Sequence, residues 1–196
     1  MQFEAEMIND LIRSRRSVYT KDYVQNKKVP DSVIKQILEN ANWAPTHKLT
    51  EPWRFVVFTG EGLKKLADFQ ARCYKEVTEA NGTFKEERYI NLKSKPMQSS
   101  HIIAIGMKRD PEKKIREVEE IGAVFCAIQN MYLTATAYGV GCYLSTGGIT
   151  YFEEAKSFFG WEEEDKLIGF LNLGVIEKKH SSGKRKPIEE KVNWVN

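Results

Sequence analysis

Cysteine and histidine are scarce in this sequence. Each occurs three times in 196 residues, and the cysteines Cys73, Cys126 and Cys142 form no CxxC pair. The histidines are isolated and show no spacing typical of metal ligands. These absences argue against a zinc site and against a disulfide framework. Because Cys126 lies in the apolar run 123–128, we interpret it as a small core residue.

Long apolar runs are also missing. None approaches the roughly 18 consecutive apolar residues that a transmembrane helix needs. Residues 1–7 show no basic stretch followed by an apolar one, so we expect no secretory leader and a cytoplasmic protein. The 30 basic residues are interleaved with 27 acidic ones, for a net charge of +3. This balance creates no strong field for a polyanion, and we expect neither a nucleic-acid nor a membrane partner.

Several familiar catalytic motifs are absent or incomplete. The sequence contains no phosphate-loop lysine motif and no Gly-x-Ser-x-Gly elbow. Gly60-Glu61-Gly62 follows a predicted strand and opens a helix, as a dinucleotide fingerprint does, but Lys65 stands at the third glycine position. We therefore expect no dinucleotide site of the Rossmann type.

What remains is a globular composition, with 41% hydrophobic and 29% charged residues. Apolar spacing predicts helices, and runs of β-branched and aromatic residues predict strands. Helices are predicted over 3–14, from 31 to the loop at 43, from 61 onward, over 115–138 and over 152–159. Strands are predicted over 53–59, 101–107, 139–148 and 167–175. Their irregular alternation predicts one α+β domain over 1–196, with a small mixed or antiparallel sheet surrounded by helices.

Two of these elements support more specific expectations. The strand 53–59 is rich in β-branched and aromatic residues, which is typical of a central strand. The helix over 115–138 is apolar or small on almost every face between residues 121 and 137, so it must be buried all round. An apolar helix that one small domain cannot cover favours a second copy of the chain.

The loop between Trp43 and Trp53 is the first candidate site. Pro45 and Pro52 bracket it and stiffen its backbone. Between them lie Thr46, His47, Lys48 and Glu51, a dense polar set. Functional residues favour such loops, but a rigid connector between helix and strand explains the pattern equally well.

Two basic clusters are the second candidate. They are Arg15-Arg16-Ser17 near the start and Lys184-Arg185-Lys186 near the end. The planar fork of arginine suits phosphate oxygens, and a serine hydroxyl supplies another donor. If the clusters converge in space they form a phosphomonoester pocket; if they do not, each is a solvated charge run. The turn at 145–148, Ser-Thr-Gly-Gly, allows a planar or anionic ligand close to the main chain.

Taken together, these stretches resemble the FMN-dependent nitroreductase family, and in particular its compact, minimal members. The first basic cluster, the Ala-Pro-Thr-His-Lys loop, the Ser-Thr-Gly turn and the late Gly-Phe-Leu-Asn-Leu-Gly strand occur in the family's order. The segments that carry the resemblance are 12–18, 33–45, 51–57, 138–141, 145–147, 168–174 and 184–190, so it covers nearly the whole chain.

The resemblance implies a homodimer with FMN at the subunit interface. By it, Arg15, Arg16 and Ser17 hold the phosphate, ribityl chain and ring edge of the flavin, and Lys184 and Arg185 close on the phosphate. The loop residues that match the segment reaching the flavin from the other subunit are Pro45, Thr46, His47 and Glu51. The residues that match the segment behind the flavin ring are Leu144, Ser145, Thr146 and Gly147. The excursion 81–98 is expected to cap the pocket, and the tail 178–196 to contribute to the FMN site and the dimer.

The implied activity is an FMN-dependent NAD(P)H oxidoreductase acting by ping-pong hydride transfer. NADPH or NADH donates, and a nitroaromatic, quinone or similar electron-poor acceptor then occupies the same space. No side chain is required as a proton donor, so no catalytic residue and no metal ligand is assigned. The alternatives are a specialised flavin enzyme of the same fold, such as a dehalogenase, a flavin-consuming enzyme or a desaturase-like modifier, and a non-catalytic dimeric ligand-binding protein.

Two positions depart from the family pattern. The family commonly has Asn or Gln where Glu51 stands, and a carboxylate beside a flavin disfavours the anionic reduced ring by like-charge repulsion. Many members also carry a basic residue two places after the serine of the first cluster, where this chain has Tyr19.

Overall fold

A computed structural model describes residues 3–177 and 183–195. The described chain forms five α-helices, four strands and several short 3-10 turns. The helices are α1 (Ala5–Ser14), α2 (Asp31–Asn42), α3 (Glu61–Ala80), α4 (Glu86–Ser94) and α5 (Glu117–Ala137). The strands are β1 (Trp53–Thr59), β2 (His101–Met107), β3 (Val140–Ser145) and β4 (Lys166–Val175). The bounds of β1 and β2 are those predicted, and the predicted helix at 152–159 is a 3-10 helix, Glu153–Phe159.

The four strands form one antiparallel sheet in the order β1-β2-β4-β3. This confirms the α+β class and the small antiparallel sheet. The prediction that 53–59 is a central strand is wrong, because β1 lies at an edge. Its apolar character has another cause: Phe55 packs against the core on one face of the sheet, and Val56 and Phe58 pack against the core on the other.

Each face of the sheet has its own hydrophobic core. Helices α2 and α5 cover one face and bury side chains such as Ile37, Val124 and Met131 against it. Helix α3 and the 3-10 helix at 153–159 cover the other, where Phe69 and Phe158 stack with ring centroids 3.8 Å apart. The strand β2 is buried along its whole length because both cores contact it.

The segment between α1 and α2 is fixed to the sheet by Tyr23. Its ring lies over Gly141 and Gly174, which are directly paired across β3 and β4. A Cβ atom at Gly174 would lie 2.2 Å from the ring, so only glycine leaves room for it. The Tyr23 hydroxyl donates a hydrogen bond to the Asn172 carbonyl at 2.9 Å. Burial raises the pKa of Tyr23, so this hydroxyl stays protonated.

Two main-chain hydrogen bonds continue this attachment on either side of Tyr23. The Val18 amide donates to the Cys142 carbonyl at 2.9 Å, and the Val24 amide donates to the Val175 carbonyl at 2.8 Å. The residues that follow α1 are therefore held beside β3.

Helix α5 is not buried all round in the single chain. Val118, Phe125 and Cys126 lie on an exposed stripe that repeats at helical spacing. The interpretation of Cys126 as a core residue is wrong for the single chain, because the core face of α5 lies on the opposite side. Cys73 and Cys142 are buried, and burial raises the pKa of Cys73 to about 11.

Two buried polar clusters fix the ends of elements. Glu120, which is fully buried in α5, pairs with the Arg109 guanidinium and accepts a hydrogen bond from the Asp110 amide at 2.7 Å. At the start of β2, the buried His101 ring lies 3.0 Å from a carboxylate oxygen of Asp31. These contacts tie α5 to the loop after β2, and α2 to the start of β2.

Helix α3 begins where the sequence predicts and extends over 20 residues. It buries Tyr74 and Thr78 in its last two turns before it ends at Ala80. Helix α4 follows after a short break and packs Tyr89 and Leu92 against the same core. No helix in the described part of the chain has the length and apolar character needed to cross a bilayer.

Candidate functional site

A cavity of about 600 Å³ opens between the end of β3 and helix α4. One wall is the segment Leu144, Ser145, Thr146 and Gly147, the four residues that the family resemblance assigns to the segment behind the flavin ring. The opposite wall is formed by residues of 85–96. This volume is typical of small-molecule sites.

The backbone of the first wall is shaped by glycine. Gly148 follows the segment with φ of +72°, a conformation that side chains other than glycine rarely adopt. A Cβ at Gly148 would lie 3.4 Å from Leu92 on the opposite wall. On the neighbouring strand, a Cβ at Gly169 would lie 2.7 Å from the Ser145 carbonyl oxygen. The turn therefore keeps main-chain atoms close to the cavity.

Tyr132 of α5 brings the first basic cluster to this wall. Its hydroxyl accepts a hydrogen bond from the Leu144 amide at 2.7 Å and lies 3.5 Å from the Ser17 hydroxyl. The Arg15 guanidinium lies over its ring, 5.2 Å from the centroid. Burial raises the pKa of Tyr132, so the hydroxyl remains neutral. Three predicted site residues, Arg15, Ser17 and Leu144, thus meet around one side chain.

Sequence reasoning missed Tyr132. In the sequence it is one more large side chain in an apolar helix, where the ordinary interpretation is core packing. The only available signal was its hydroxyl, because a buried Tyr normally finds a hydrogen-bond partner. Which partner it finds depends on β3, and the chain order alone does not show that contact.

The chain just before the second basic cluster lies against a side chain of the first. A Cβ at Gly183 would lie 2.8 Å from the Arg16 guanidinium carbon, so the main chain at 183 touches that side chain. Lys184 and Arg185 follow directly and are exposed. The residue just before the second cluster therefore reaches the first, while the convergence of the charged side chains themselves stays a prediction. The part of the predicted tail contribution that falls on 178–182 lies outside the described residues.

The loop with Pro45, Thr46, His47 and Glu51 does not join the cavity. It precedes β1, and β2 and β4 lie between β1 and β3. The His47 ring nitrogen Nδ1 lies 2.7 Å from a Glu119 carboxylate oxygen at the start of α5, and the hydroxyls of Thr46 and Thr50 are 3.0 Å apart.

This loop has an unusual backbone. Lys48, Leu49 and Glu51 have φ of 51°, 54° and 43°, in the left-handed region that residues other than glycine seldom adopt. Each such residue costs roughly 1–3 kcal/mol, and clusters of them occur at ligand-binding segments. Leu49 is also 81% exposed. The loop is thus held in a defined shape that presents an apolar side chain to solvent.

The residues that converge fit a ligand with one anionic and one planar part. In the described residues no carboxylate pairs with Arg15, Lys184 or Arg185, so their charge is available to a phosphate. The main chain of 144–147 lines the cavity, and Tyr132 joins it to Arg15. FMN has both parts. No group of three His, Cys, Asp or Glu side chains within 3–177 and 183–195 is placed to hold a metal ion.

Comparison with known proteins gives a consistent result. The Nitroreductase family model matches residues 12–175. The chain is 27% identical to the Bacillus subtilis (strain 168) protein named "Putative NAD(P)H nitroreductase YfhC", over 94% of this chain and 92% of that protein.

Solved structures share the fold. The crystal structure of a nitroreductase-like family protein from Bacillus cereus is 29% identical, with a TM-score of 0.82, and covers 100% of this chain and 98% of its own. The FMN-dependent nitroreductase NfnB from Mycobacterium smegmatis, solved in complex with NADPH, has a TM-score of 0.73 at 17% identity, over 98% of this chain and 99% of that one.

Proposed function

The chain belongs to the nitroreductase family, and from that premise we propose that it is an FMN-dependent NAD(P)H oxidoreductase. The proposed acceptors are nitroaromatics, quinones or similar electron-poor compounds, reduced in a ping-pong cycle. The proposed compartment is the cytoplasm. A relative named as an NAD(P)H nitroreductase and the NADPH-bound FMN-dependent NfnB support this assignment.

The observation that carries the proposal is the meeting of Arg15, Ser17 and Leu144 at Tyr132. Arg15 and Ser17 approach the same tyrosine that holds the Leu144 amide, at the start of the segment 144–147. Arg16 adds a contact with Gly183, the residue that precedes Lys184 and Arg185. A site that only bound a small anion would need the cations but not the adjoining 600 Å³ cavity.

FMN, when bound, supplies two-electron chemistry between a nicotinamide and an acceptor. The protein's part is to bind and orient. Arg15, Arg16, Lys184 and Arg185 hold the phosphate, and the segment 144–147 supports one face of the ring. The opposite side of the cavity, capped by residues of 81–98, receives the donor and then the acceptor. We assign no catalytic acid, since water reaches the open cavity.

The proposed assembly is a homodimer. The stripe on α5 with Val118 and Phe125 is apolar and exposed, and α1 buries none of its residues while it exposes Met7 and Ile12. A second copy would cover both surfaces. In this assembly the loop with His47 and Glu51 reaches the flavin of the other subunit, which explains why it lies away from the cavity of its own chain. Light scattering of the holoprotein, which reports molar mass, tests the dimer.

The test of function is an absorbance spectrum of the purified protein, before and after anaerobic addition of NADPH and then NADH. The proposal requires flavin bands that are close to stoichiometric with protein and that bleach on addition. A colourless chain that takes up no added FMN would instead indicate a non-catalytic binding protein. Flavin that binds but is not reduced by either nucleotide would indicate a specialised flavin enzyme.

Arg15→Ala tests the cofactor site itself. We expect it to weaken FMN binding by at least about 1.5 kcal/mol, the low end for a hydrogen bond to a charged group. Arg72→Ala, an exposed arginine on α3 away from the cavity lining, is the matched control and should leave FMN affinity unchanged. Equal affinities in the two variants would remove Arg15 from the phosphate site.

A further inference from the structure

The wall of the cavity opposite 144–147 is strongly basic. Lys85, Arg88 and Lys95 line it, and Glu87 is the one acidic residue among the lining residues. In the described part of the chain none of the three cations forms an ion pair, although many other lysines and arginines do. With three cations and one carboxylate the lining carries a net positive charge, which concentrates anions.

Arg88 is placed by its surroundings. Its guanidinium carbon lies 5.9 Å from the ring centroid of Tyr74, which is buried in α3. The Tyr74 hydroxyl accepts a hydrogen bond from the Lys85 amide at 3.2 Å, and the Arg88 amide donates to the Lys85 carbonyl at 3.0 Å. One buried aromatic side chain therefore fixes both the start of α4 and the position of its arginine.

This position is directly above the turn that ends β3. A Cβ at Gly147 would lie 3.5 Å from the Arg88 nitrogen Nη2, so the guanidinium lies close to the bare main chain of the turn. The rest of the lining includes apolar side chains, among them Leu92, Ile102 and Phe170. The cavity thus combines apolar walls with a cationic fork at one side, an arrangement that suits an aromatic ring carrying an anionic group.

We propose that the cavity selects acceptors that carry a carboxylate or similar anion on an aromatic ring, with Arg88 as the main specificity residue and Lys85 and Lys95 in support. The proposal rests on the proposed function and deepens it by naming the substrate class. With 4-nitrobenzoate the reaction balances as follows: NAD(P)H and one solvent proton supply two electrons and two hydrogens, the nitro group becomes a nitroso group, and water leaves.

The test compares 4-nitrobenzoate with methyl 4-nitrobenzoate, which has the same ring and nitro group but no charge. Calorimetric titration of the oxidised holoprotein should show tighter binding of the acid. Arg88→Gln should weaken binding of the acid by about fivefold, the upper end for an ion pair that solvent reaches. Arg88→Glu, which reverses the charge, should weaken it by at least about tenfold. Binding of the ester should change by less than about twofold in both variants.

Two controls accompany the titrations. Arg72→Gln makes the same substitution on α3, outside the cavity lining, and should change neither affinity. Added salt should weaken binding of the acid and leave the ester unaffected, because screening acts on the charge alone.

Three results would overturn the proposal. The first is an equal effect of Arg88→Gln on acid and ester. The second is a loss confined to FMN affinity, which would assign Arg88 to the cofactor phosphate. The third is a loss confined to NAD(P)H, which would assign it to the electron donor.

Failure of the proposed function has a different signature. In that case the wild-type protein takes up no FMN, or takes up FMN that NAD(P)H does not reduce. Calorimetry with 4-nitrobenzoate needs no flavin turnover, so the preference for acid over ester is then measured on the flavin-free protein in the first case and on the unreduced flavoprotein in the second.

Discussion

Gly174→Ala is expected to destabilise the protein far more than an ordinary glycine-to-alanine change in a strand. The added methyl group would lie 2.2 Å from Cδ2 and 2.3 Å from Cγ of Tyr23. These atoms belong to the rigid part of a ring that is 4% exposed, so the ring cannot rotate out of the way. Its directly opposite partner, Gly141, closes the other side of the same notch.

The expected cost is about 0.5–4 kcal/mol of unfolding free energy, the balance of three contributions. Overpacking contributes about 1–3 kcal/mol. Displacing the ring also weakens the 2.9 Å hydrogen bond from the Tyr23 hydroxyl to the Asn172 carbonyl, worth about 0.5–1.5 kcal/mol. Without the clash, alanine would be favoured over glycine in a strand by about 0.5–1 kcal/mol.

Urea unfolding at one fixed protein concentration measures this cost, since oligomer stability depends on concentration. Gly62→Ala is the matched control. A Cβ at Gly62 meets only ordinary contacts with Phe58 at 3.8 and 3.9 Å, and the site is helical. We expect that variant to be as stable as the wild type or up to about 1 kcal/mol more stable.

A double-mutant cycle with Tyr23→Ala decides whether the clash is the cause. Tyr23→Ala alone should lower the free energy of unfolding by about 3–5 kcal/mol, as other aromatic truncations do. Adding Gly174→Ala to that variant should lower it further by less than about 0.5 kcal/mol. If the two changes add instead, the destabilisation does not pass through the Tyr23 ring and the reasoning is refuted. The same displacement would move the segment that carries Arg15, so FMN affinity should fall in Gly174→Ala alone.

Two further predictions concern the buried polar clusters. Glu120→Ala should lower the free energy of unfolding by about 3–5 kcal/mol, because it leaves the Arg109 charge buried without its partner. As a control in the same urea assay, Glu177→Ala breaks an exposed ion pair with Lys27 and should lower it by at most about 1 kcal/mol. Burial lowers the pKa of His101 despite the nearby Asp31 carboxylate, so the unfolded chain takes up this proton at higher pH than the folded one. The neutral His101 ring therefore does not lower the free energy of unfolding above its unfolded pKa of about 6.5, and that free energy declines as the pH falls below this value. His101→Gln should lessen the decline in unfolding free energy between pH 7 and 5. An unchanged decline would show that the histidine is not its source.

The elements that the sequence predicted well are those whose pattern is local. Strands β1 and β2 have their predicted bounds because runs of β-branched and aromatic residues end at turn residues. The position of β1 at the edge of the sheet could not be predicted from its own residues. Phe55 and Val56 are covered on opposite faces by two separate cores, and such coverage gives an edge strand the composition of a central one.

The candidate site divides in the same way. Arg15, Ser17 and Leu144 could be named from short motifs, and the structure brings them together. The side chain that joins them, Tyr132, could not be named, because its role depends on a contact between α5 and β3. Cys126 was assigned to the core for a related reason: apolar neighbours indicate burial, but they do not show which face of a helix the chain itself covers.

The notch formed by Gly141, Gly174 and Tyr23 joins three distant parts of the chain. The two glycines are paired across β3 and β4, and a Cβ at Gly141 or Gly174 would lie 2.8 or 2.2 Å from an atom of the Tyr23 ring.

The two-sided sheet has a consequence for how such a sequence can diverge. Tyr132 and Leu144, which join the proposed flavin site, belong to or pack on the core beneath α2 and α5, whereas Tyr74 and Leu92, which set the acceptor wall, belong to or pack on the core beneath α3. Substitutions in separate cores are usually additive in their effect on stability. Substitutions in the core beneath α3 should therefore reshape the proposed acceptor wall with little change in the stability of the core that holds Tyr132.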